Sequence, residues 1–553
     1  MRRLGSGFHI QDALNCREAP HYRDSARPAQ VWLQRATPFV LLAITALGGF
    51  LRLYQIGSKG LWLDEAFSVW LGWQPVGQML SWLIRIDQHP PLYYLLLHVW
   101  MHLGDDAATV RALSALFGTL TIPVIYLLGR RLADEKVGLL AALILAVSPF
   151  HVRFAQETRM YTLLALYASL ALYALARLVS GYNVSGFKLS KPVTPDVKPE
   201  TLRWAWLGYV IFTAATLLSH NTAVFFPIAT NLFVLGLHLV RVSGRHVAGF
   251  RPGGKPETSN LKPETRFLRN WLIAQAGVLL LWLPWLPAFV IQSVGVYREF
   301  WLPAPTWRTI IGAVGAFLSD FLPLPPAGAC AVGVLYAGLT LLGLVYFRRR
   351  PAHIAFLLVI FVTPFVGEWL VSLRRPIFYD RTLIWASLPL YLLLAAGMCQ
   401  LRYRPYTLAA ALMVLTVNAL SLREYYAHFE KEQWDDAAAF VAERVEPDDL
   451  ILFNATWVQI PFDFYFRFYN RSVAEHGVPV DLFDRGILEP KMTKDDLPRL
   501  RALIRGHERV WLVYSHDWYT DPQGLIPPVL EEELDLLDRW DFYGLQVQLY
   551  GVR

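Results

Sequence analysis

The sequence predicts an α-helical protein that crosses a membrane about eleven times and carries a small α/β domain at its C-terminal end. Hydrophobic residues make up 55% of the 553 residues and charged residues only 17%, whereas soluble domains carry about 25% charged residues. Several apolar runs reach the roughly 20 residues that a helix needs to cross a bilayer. After residue 421 these runs give way to short amphipathic segments.

Composition argues against several other classes of protein. The net charge of +7 comes from basic residues that cluster beside apolar segments, as topology signals do, so no nucleic-acid partner is predicted. Cys16, Cys330 and Cys399 are far apart and odd in number, which argues against a disulfide framework or a cysteine metal site. Residues 1–35 are polar and rich in arginine, so the first apolar segment is predicted to be a signal anchor.

Length and apolarity predict eleven membrane-spanning helices. They cover residues 36–54, 108–129, 137–152, 158–180, 204–220, 222–242, 270–291, 329–347, 352–373, 378–398 and 404–421. Segment 90–104 is short for a span and is predicted to be an interfacial or re-entrant helix. Segment 310–329 is broken by prolines and receives no assignment.

The basic residues between these spans predict the orientation of the chain. When the Arg-rich N-terminus is placed in the cytoplasm, the basic loops 130–136, 241–269 and 348–350 also lie inside, in agreement with the positive-inside rule. The protein is therefore predicted to be a multi-pass protein of the plasma membrane. Its predicted parts are a cytoplasmic tail (1–35), a transmembrane domain (36–421) whose first outer loop is 55–107, and an extracytoplasmic domain (422–553).

The extracytoplasmic domain is predicted to combine helices and strands. The segment "EQWDDAAAFVAERV" is typical of an amphipathic helix. The segments "DLILFN", "RVWLVYS" and "FYGLQVQLYGV" are typical of strands. The pattern leaves two roles open, a plain accessory domain and a domain that selects substrate.

Arginine or histidine occurs in all five predicted outer segments that carry polar clusters, although the positive-inside rule disfavours arginine there. A phosphate group at the outer surface would favour these side chains, because guanidinium groups bind phosphate oxygens in a two-point fork. The candidate phosphate-binding arginines are Arg298, Arg374, Arg375 and Arg381. For Arg374 and Arg375 the alternative is that they snorkel to lipid headgroups.

The segment "LWLDEAFSVW" places Asp64 and Glu65 directly after the first span. Carboxylates are costly near hydrocarbon, so those found there usually have a function. The apolar neighbours predict that this loop lies against the membrane, where a half-buried carboxylate can serve as a general base; they are Leu61, Trp62, Leu63, Phe67 and Trp70. The alternative is an ordinary hydrated loop with two adjacent acids.

Other polar residues of the outer segments are candidates for substrate binding, and several have a structural alternative. These candidates are Gln156, Glu157, Arg159, His220 and Tyr379. Glu157 is equally well explained as the cap of a helix that begins near Thr158, where a negative charge meets the helix dipole. His220 fits a polar turn between two spans. The start of a helix explains both prolines of "HPP". It does not explain His89, for which phosphate binding, metal binding and neither of these stay open.

The order of these motifs resembles a known family. The Asp-Glu pair is followed by "HPPLYYLLLHVW", then "GRRLADEKVGLLAALILAVSP", then "FAQETRMYTLLALYASLALYAL". This order is similar to that of the bacterial membrane glycosyltransferases of GT-C fold, relatives of the protein O-mannosyltransferases and the lipid A aminoarabinose transferases (glycosyltransferase families 39 and 83). The resemblance covers 36–180, extends to "YDRTLIWASLPLYLLLAAG", and is limited to hydropathy over 181–350.

The resemblance implies a reaction. Such enzymes take a sugar from a polyprenyl-phosphate carrier in the outer leaflet and pass it to an acceptor hydroxyl on a protein, a glycolipid or a cell-envelope glycan. Asp64 matches the position of the family's catalytic carboxylate, which implies that it deprotonates the acceptor. Glu65 is the second family carboxylate and is expected to orient acceptor or donor.

The resemblance also bears on phosphate and metal binding. Gln88 and His89 stand where aminoarabinose transferases often carry Glu-Lys before two prolines, so His89 takes the place of a lysine that contacts donor phosphate. Glu157 lies near the family's second-loop acidic position. No cofactor is expected to be required, and a divalent ion held by Glu65, Glu157 and His89 stays an open alternative.

Three other functions are weighed against the transferase. A transporter or flippase of polyprenyl-linked saccharides would use the same arginines without a base, but transporters place polar groups near the bilayer midplane and often show two related halves. A saccharide ligase or polymerase also uses outer-face arginines, yet the Asp-Glu loop favours the transferase. An inactive scaffold explains the C-terminal domain and leaves the polar residues of five segments unexplained.

Overall fold

The computed structural model describes residues 26–87, 89–181, 199–248, 261–296, 303–484 and 490–552. Within these ranges, nine helical segments are long and apolar enough to cross a membrane, or ten if the bent pair Glu135–Val147 and Pro149–Ala155 forms one span. A five-stranded sheet lies near the C-terminal end. The predicted class, a polytopic helical membrane protein with a small C-terminal α/β domain, is confirmed.

The helices of the first half are α1 (Ala26–Leu53), α2 (Leu63–Trp73), α3 (Val76–Arg85), α4 (Leu92–Trp100), α5 (Ala107–Leu132), α6 (Glu135–Val147), α7 (Pro149–Ala155), α8 (Tyr161–Gly181), α9 (Pro199–Leu217), α10 (Phe225–Ala248), α11 (Leu261–Trp282) and α12 (Leu286–Val296). Those that follow are α13 (Trp307–Ser319), α14 (Pro326–Phe347), α15 (Pro351–Ser372), α16 (Ser387–Gln400) and α17 (Arg404–His428). Side chains cap several of these helices. Asp106, for example, accepts hydrogen bonds from the N–H groups of Ala108 and Thr109 at the start of α5.

Ten of the eleven predicted spans coincide with the nine candidate spans and the bent pair α6–α7. The remaining prediction, 204–220, corresponds to α9, which forms a helix but is not one of the candidate spans. Its first turn reads "PETLR", and these charged residues lower the mean hydropathy of the helix as a whole. Segment 90–104 is a short apolar helix, Leu92–Leu103, as predicted.

Two glycines allow α14 and α16 to approach each other closely. A Cβ atom built on Gly343 would overlap the backbone carbonyl of Leu393, and one built on Gly397 would overlap the carbonyl of Leu339. Small residues at such crossings let helix backbones pack directly in a membrane, where burial of apolar surface gives little driving force between helices. This crossing fixes α16, whose preceding turn carries Arg381.

We expect Gly397→Val to lower the thermal unfolding midpoint, because the added side chain would meet the Leu339 carbonyl at the α14–α16 crossing. Overpacking of this kind costs about 1–3 kcal/mol. The measurement is a thermal unfolding curve of the purified protein in detergent. Gly333→Val is the matched control, since no atom lies within 4 Å of a Cβ built there. An equal loss in both variants would contradict the assigned crossing.

The C-terminal α/β region, residues 429–552, contains the sheet. Its elements are α18 (Trp434–Arg444), β1 (Leu450–Asn454), α19 (Gln459–Phe466), β2 (Ala474–Gly477), α20 (Leu497–Ile504), β3 (Arg509–Tyr514), α21 (Asp517–Thr520), α22 (Ile526–Glu533), β4 (Asp535–Phe542) and β5 (Leu545–Gly551). The strand order is β2-β1-β3-β5-β4. Strand β1 is parallel to β2 and β3, whereas β5 is antiparallel to β3 and β4.

Strand β1 is buried along its whole length. Its alternating side chains enter two hydrophobic clusters, Ile451 and Phe453 on one face and Leu450 and Leu452 on the other. This division follows from the two-residue period of a strand. Helices and loops therefore cover both faces of the sheet at its centre.

Aromatic side chains join the C-terminal α/β region to the first loop. The ring of Phe464 stacks on Trp73 with centroids 5.8 Å apart. Phe483 contacts Trp70 and Trp82 at 5.1 Å and 4.5 Å between centroids. Large aromatic side chains supply most of the buried area in such contacts, so the C-terminal α/β region packs against α2 and α3.

Candidate active site

Helix α2 presents Asp64 and Glu65 in its first turn. A carboxylate there is favoured by the helix dipole. Adjacent residues on a helix point about 100° apart, and the two side chains differ accordingly. The Asp64 side chain is 28% exposed, while Glu65 is fully buried. Only Asp64 is therefore accessible to a substrate.

Glu65 is the centre of a buried ion cluster. The guanidinium of Arg111 donates to both carboxylate oxygens, at 2.8 and 2.7 Å. Lys431 Nζ donates to Oε2 at 2.8 Å, and the N–H of Thr158 donates to Oε1 at 2.8 Å. Burial alone would raise the pKa of Glu65, but Arg111 and Lys431 lower it to about 2. Glu65 thus joins α2, α5, the loop before α8 and the C-terminal α/β region.

Arg111 also shapes the chain that leads into α2. Its Nη1 donates to the carbonyls of Ile56 and Lys59, at 2.9 and 2.7 Å, and its Nη2 donates to that of Gly60 at 2.7 Å. Arg111 was not among the residues predicted from the sequence. The available signal was an arginine at the start of the apolar helix α5, far from Arg130 and Arg131 at its end, because a charge in such a segment usually has a partner or a function.

Asp64 faces two arginines. Its Oδ2 lies 3.3 Å from Arg381 Nη1 and 3.9 Å from Arg159 Nη2. The Arg381 guanidinium also lies over the rings of Tyr379 and Tyr161, at 4.5 and 5.5 Å from their centroids. These contacts hold two fixed positive charges beside one accessible carboxylate.

The loop between α7 and α8 places Arg159 beneath this carboxylate. Arg159 is buried, and its Nη1 donates to the Asp64 carbonyl and the Ser68 hydroxyl at 3.3 Å each, and to the Tyr94 hydroxyl at 3.4 Å. Its Nη2 lies 3.4 Å from His89 Nε2. Arg159 therefore connects the first turn of α2 to the histidines described next.

Two histidines complete this side of the site. His89 Nδ1 lies 2.8 Å from Asp87 Oδ1, and the His89 and His220 ring centroids are 5.1 Å apart. Burial, followed by the charges of His89 and Arg159, holds the pKa of His220 well below its usual range. Because His220 Nδ1 accepts the N–H of Thr222 at 3.1 Å, the neutral ring carries its proton on Nε2 and presents a donor there.

Other predicted site residues lie apart from this cluster. Gln156 donates to the carbonyls of Arg52 and Tyr54, at 3.1 and 2.7 Å, and accepts from Tyr425 at 3.0 Å. Its side chain therefore joins α1 to α17, and its contact with substrate stays a prediction.

Glu157 is buried with Oε1 3.4 Å from Arg153 Nε, and α8 begins later, at Tyr161. Glu157 is therefore not the cap of this helix, which corrects that alternative. Among the described residues, no acidic side chain pairs with Arg374, which is exposed, or with Arg375, which is half-buried. Arg298 and Gln88 lie outside the described residues.

A metal site was the open alternative for Glu65, Glu157 and His89. Within the described ranges, no group of three or more His, Cys, Asp or Glu side chains is arranged to hold a metal ion. Both Glu65 oxygens already accept charged or backbone donors, so this carboxylate has little capacity for a further cation. Arg381 and Arg159 instead lie beside Asp64, and Arg159 also lies beside His89, so two guanidinium groups are placed where they can bind an anion.

Comparison with known proteins supports the fold. A family model described as dolichyl-phosphate-mannose-protein mannosyltransferase matches residues 88–192. The chain resembles ArnT from Cupriavidus metallidurans in the apo state, with TM-score 0.59 and 13% identity over 94% of this chain and 98% of that chain. The structure of that protein bound to undecaprenyl phosphate gives TM-score 0.57 and 13% identity over 93% and 98% of the two chains.

A second similar structure is the archaeal oligosaccharyltransferase AglB from Archaeoglobus fulgidus, with TM-score 0.51 and 14% identity over 94% of this chain and 74% of that chain. No curated protein sequence matches the chain. At such low identities the likeness concerns the fold. The protein is a multi-pass membrane protein, and its fold is the GT-C fold. The resemblance found in the sequence is confirmed at this level.

Proposed function

We propose that the protein is a glycosyltransferase that moves a sugar from a polyprenyl-phosphate carrier to an acceptor hydroxyl at the outer face of the membrane. The observation that carries this proposal is the accessible Asp64 carboxylate between Arg381 and Arg159. The match of residues 88–192 to a mannosyltransferase family and the undecaprenyl phosphate bound in the similar ArnT structure support it. The proposed acceptor is a protein, a glycolipid or a cell-envelope glycan.

The proposed reaction assigns a role to each charge. Asp64 accepts the proton of the acceptor hydroxyl, and that oxygen forms a bond to the anomeric carbon of the sugar. The bond between this carbon and the phosphate oxygen breaks, and the lipid phosphate leaves with the electron pair. In this proposal Arg381 and Arg159, which lie beside Asp64, stabilise this developing charge. Asp64 then releases its proton to water.

Neighbouring side chains bind and orient in this proposal. His220 donates from Nε2 to an oxygen of the donor, and His89 lies beside it next to Arg159. Tyr379 holds the guanidinium of Arg381 by packing against it. Glu65 is buried, so it does not touch substrate and serves to fix the turn that carries Asp64.

The proposed topology keeps the N-terminus in the cytoplasm and the C-terminal α/β region outside. The contact between Glu65 and Lys431 supports one part of this arrangement. It requires the first loop and the C-terminal α/β region to lie on the same side of the membrane. The basic loops of the chain then fall on the opposite side, as the positive-inside rule predicts.

A transfer assay tests the proposed function. Purified protein is reconstituted in liposomes with labelled polyprenyl-phosphate sugars and with extracted lipid and protein acceptors. We expect label to leave the carrier and appear on one acceptor fraction, and a parallel reaction with a chelator tests whether a divalent ion is needed. Label that only changes leaflet would contradict the proposal and would indicate transport.

Arg381→Ala is expected to lower kcat/KM for the lipid-linked donor about 100- to 1000-fold, because it removes a fixed positive charge from the leaving phosphate. The measurement is the rate of transfer as a function of donor concentration. Arg374→Ala is the matched control, since this arginine is exposed and pairs with no acid among the described residues. A larger loss of kcat/KM in Arg374→Ala than in Arg381→Ala would indicate that the phosphate binds at 374–375 and would contradict the role of Arg381.

A further inference from the structure

The turn that carries Asp64 lacks a cap of its own. Helix α2 begins at Leu63, and the side chain of the preceding residue, Trp62, makes no capping hydrogen bond. The first N–H groups of a helix have no partner within the helix and are normally satisfied by a nearby side chain. In this protein the partner comes from more than 360 residues further along the chain.

Glu432 supplies the missing cap. Its Oε2 accepts the N–H of Leu63 at 3.2 Å, and a carboxylate at this end is also favoured by the helix dipole. The same oxygen accepts Trp434 Nε1 at 2.7 Å, and Oε1 lies 3.5 Å from His516 Nε2. Glu432 is thus held on its other side by α18 and by the loop that follows β3.

Two further contacts fix the same turn from the same region. The hydroxyl of Tyr465, on α19, accepts the N–H of Leu61 at 2.6 Å. Lys431 Nζ, which is buried, donates to Glu65 at 2.8 Å and to the carbonyl of Gln156 at 3.2 Å. The C-terminal α/β region therefore binds every second residue of this turn, at 61, 63 and 65.

We propose that Lys431 and Glu432 are positioning residues of the active site, and that the C-terminal α/β region is a structural part of that site. They act through Glu65 and the N–H of Leu63, which flank Asp64 in sequence, and they do not contact substrate. The inference rests on the proposed transfer reaction. Without these contacts the turn gains freedom, and a misplacement of about 1 Å is enough to cost on the order of 100-fold in rate.

The charge on Lys431 predicts a pH dependence of the transfer rate that a purely structural role would not produce. Burial and the nearby Arg111 lower the pKa of Lys431 to about 8, while Glu65 and Glu157 oppose this shift. Lys59 is a further charged group that faces Lys431. As the pH rises through 8, Lys431 loses its proton and its ionic bond to Glu65, so the transfer rate falls.

The test compares Lys431→Met, Lys431→Arg and Glu432→Gln with the wild-type protein in the transfer assay. We expect Lys431→Met and Glu432→Gln to lower kcat by 10- to 100-fold with little change in KM for the donor, since the phosphate-binding groups stay in place. Lys431→Arg should retain most of the activity and should shift the alkaline fall to higher pH, because arginine keeps its proton. Glu430→Gln, at an exposed neighbour, is the control.

The outcomes separate this inference from the proposed function. If the wild-type protein shows no transfer, the proposed function fails. If transfer is normal in Lys431→Met and Glu432→Gln but lost in Asp64→Asn, the positioning role is overturned while the function stands. An alkaline fall at the same pH in wild type and Lys431→Arg contradicts the role of the Lys431 charge. Thermal unfolding curves identify a variant whose loss comes from unfolding, and Lys431→Arg then decides the question.

Discussion

Asp64→Asn is expected to abolish sugar transfer while the protein stays folded and still binds the lipid-linked donor. The amide has the size of the carboxylate and keeps an oxygen toward Arg381, but it does not accept a proton at neutral pH. Loss of a general base lowers rates by roughly 10²–10⁴-fold. The Asp64 side chain is 28% exposed, and buried Arg159 keeps its hydrogen bonds to the Asp64 carbonyl, Ser68 and Tyr94, so stability should change little.

Three measurements on the same preparation check this expectation: release of label from the carrier, donor binding, and the thermal unfolding midpoint. Asp105→Asn is the matched control. Asp105 belongs to the same loop, its side chain is 40% exposed, and it pairs with Arg467 rather than with the site. Normal turnover in Asp64→Asn would exclude Asp64 as the base. Equal losses in both variants would assign the effect to the loop in general.

Glu65→Ala is expected to have the largest effect on stability. It removes the carboxylate that pairs with both Arg111 and Lys431 in a fully buried position. Breaking one partner of a buried ion pair typically costs about 3–5 kcal/mol, because a desolvated charge is left without compensation. The unfolding midpoint in detergent measures this loss. Glu430→Ala, at an exposed site next to Lys431, should change stability by less than about 0.5 kcal/mol.

Acid pH gives an independent check on the same group. The ordinary pKa of a glutamate here is 4.5, and the pKa of Glu65 in the folded protein is about 2. The folded state therefore binds this proton less tightly than the unfolded state, and the group contributes stability that is complete above pH 4.5 and lost as pH falls toward 2. Glu65→Gln should lack this part of the acid dependence. An identical acid dependence in wild type and Glu65→Gln would contradict the ion cluster.

The sequence predicted the helices well because the length of an apolar run is set by the thickness of the bilayer. It also identified the Asp-Glu pair, the two histidines and Arg381 as polar groups in predicted outer segments. It did not indicate that Glu65 is buried in an ion cluster while Asp64 stays accessible. That division depends on which helix face meets Arg111, and the direction of a first turn is settled only by packing.

The role of Lys431 and the strands β2 and β4 were not predicted from the sequence, for different reasons. Lys431 and Glu65 are 366 residues apart, and nothing local to either residue indicates the pairing. Strand β2 has four residues that read "AEHG", and β4 is exposed along most of its length. Neither shows the apolar alternation on which strand prediction depends. Pairing with β1 and β5 at the edges of the sheet is what makes them strands.

Glu432 supplies the cap of α2, so this cap becomes available only late in the synthesis of the chain. At 5–20 residues per second, the 366 residues between Glu65 and Lys431 take roughly 20 to 70 s to synthesise. For most of that interval the first loop has been synthesised, but the residues that hold its turn have not. The turn that carries Asp64 gains these contacts only after the last span has been synthesised, so a chain released before residue 431 would lack the proposed positioning contacts.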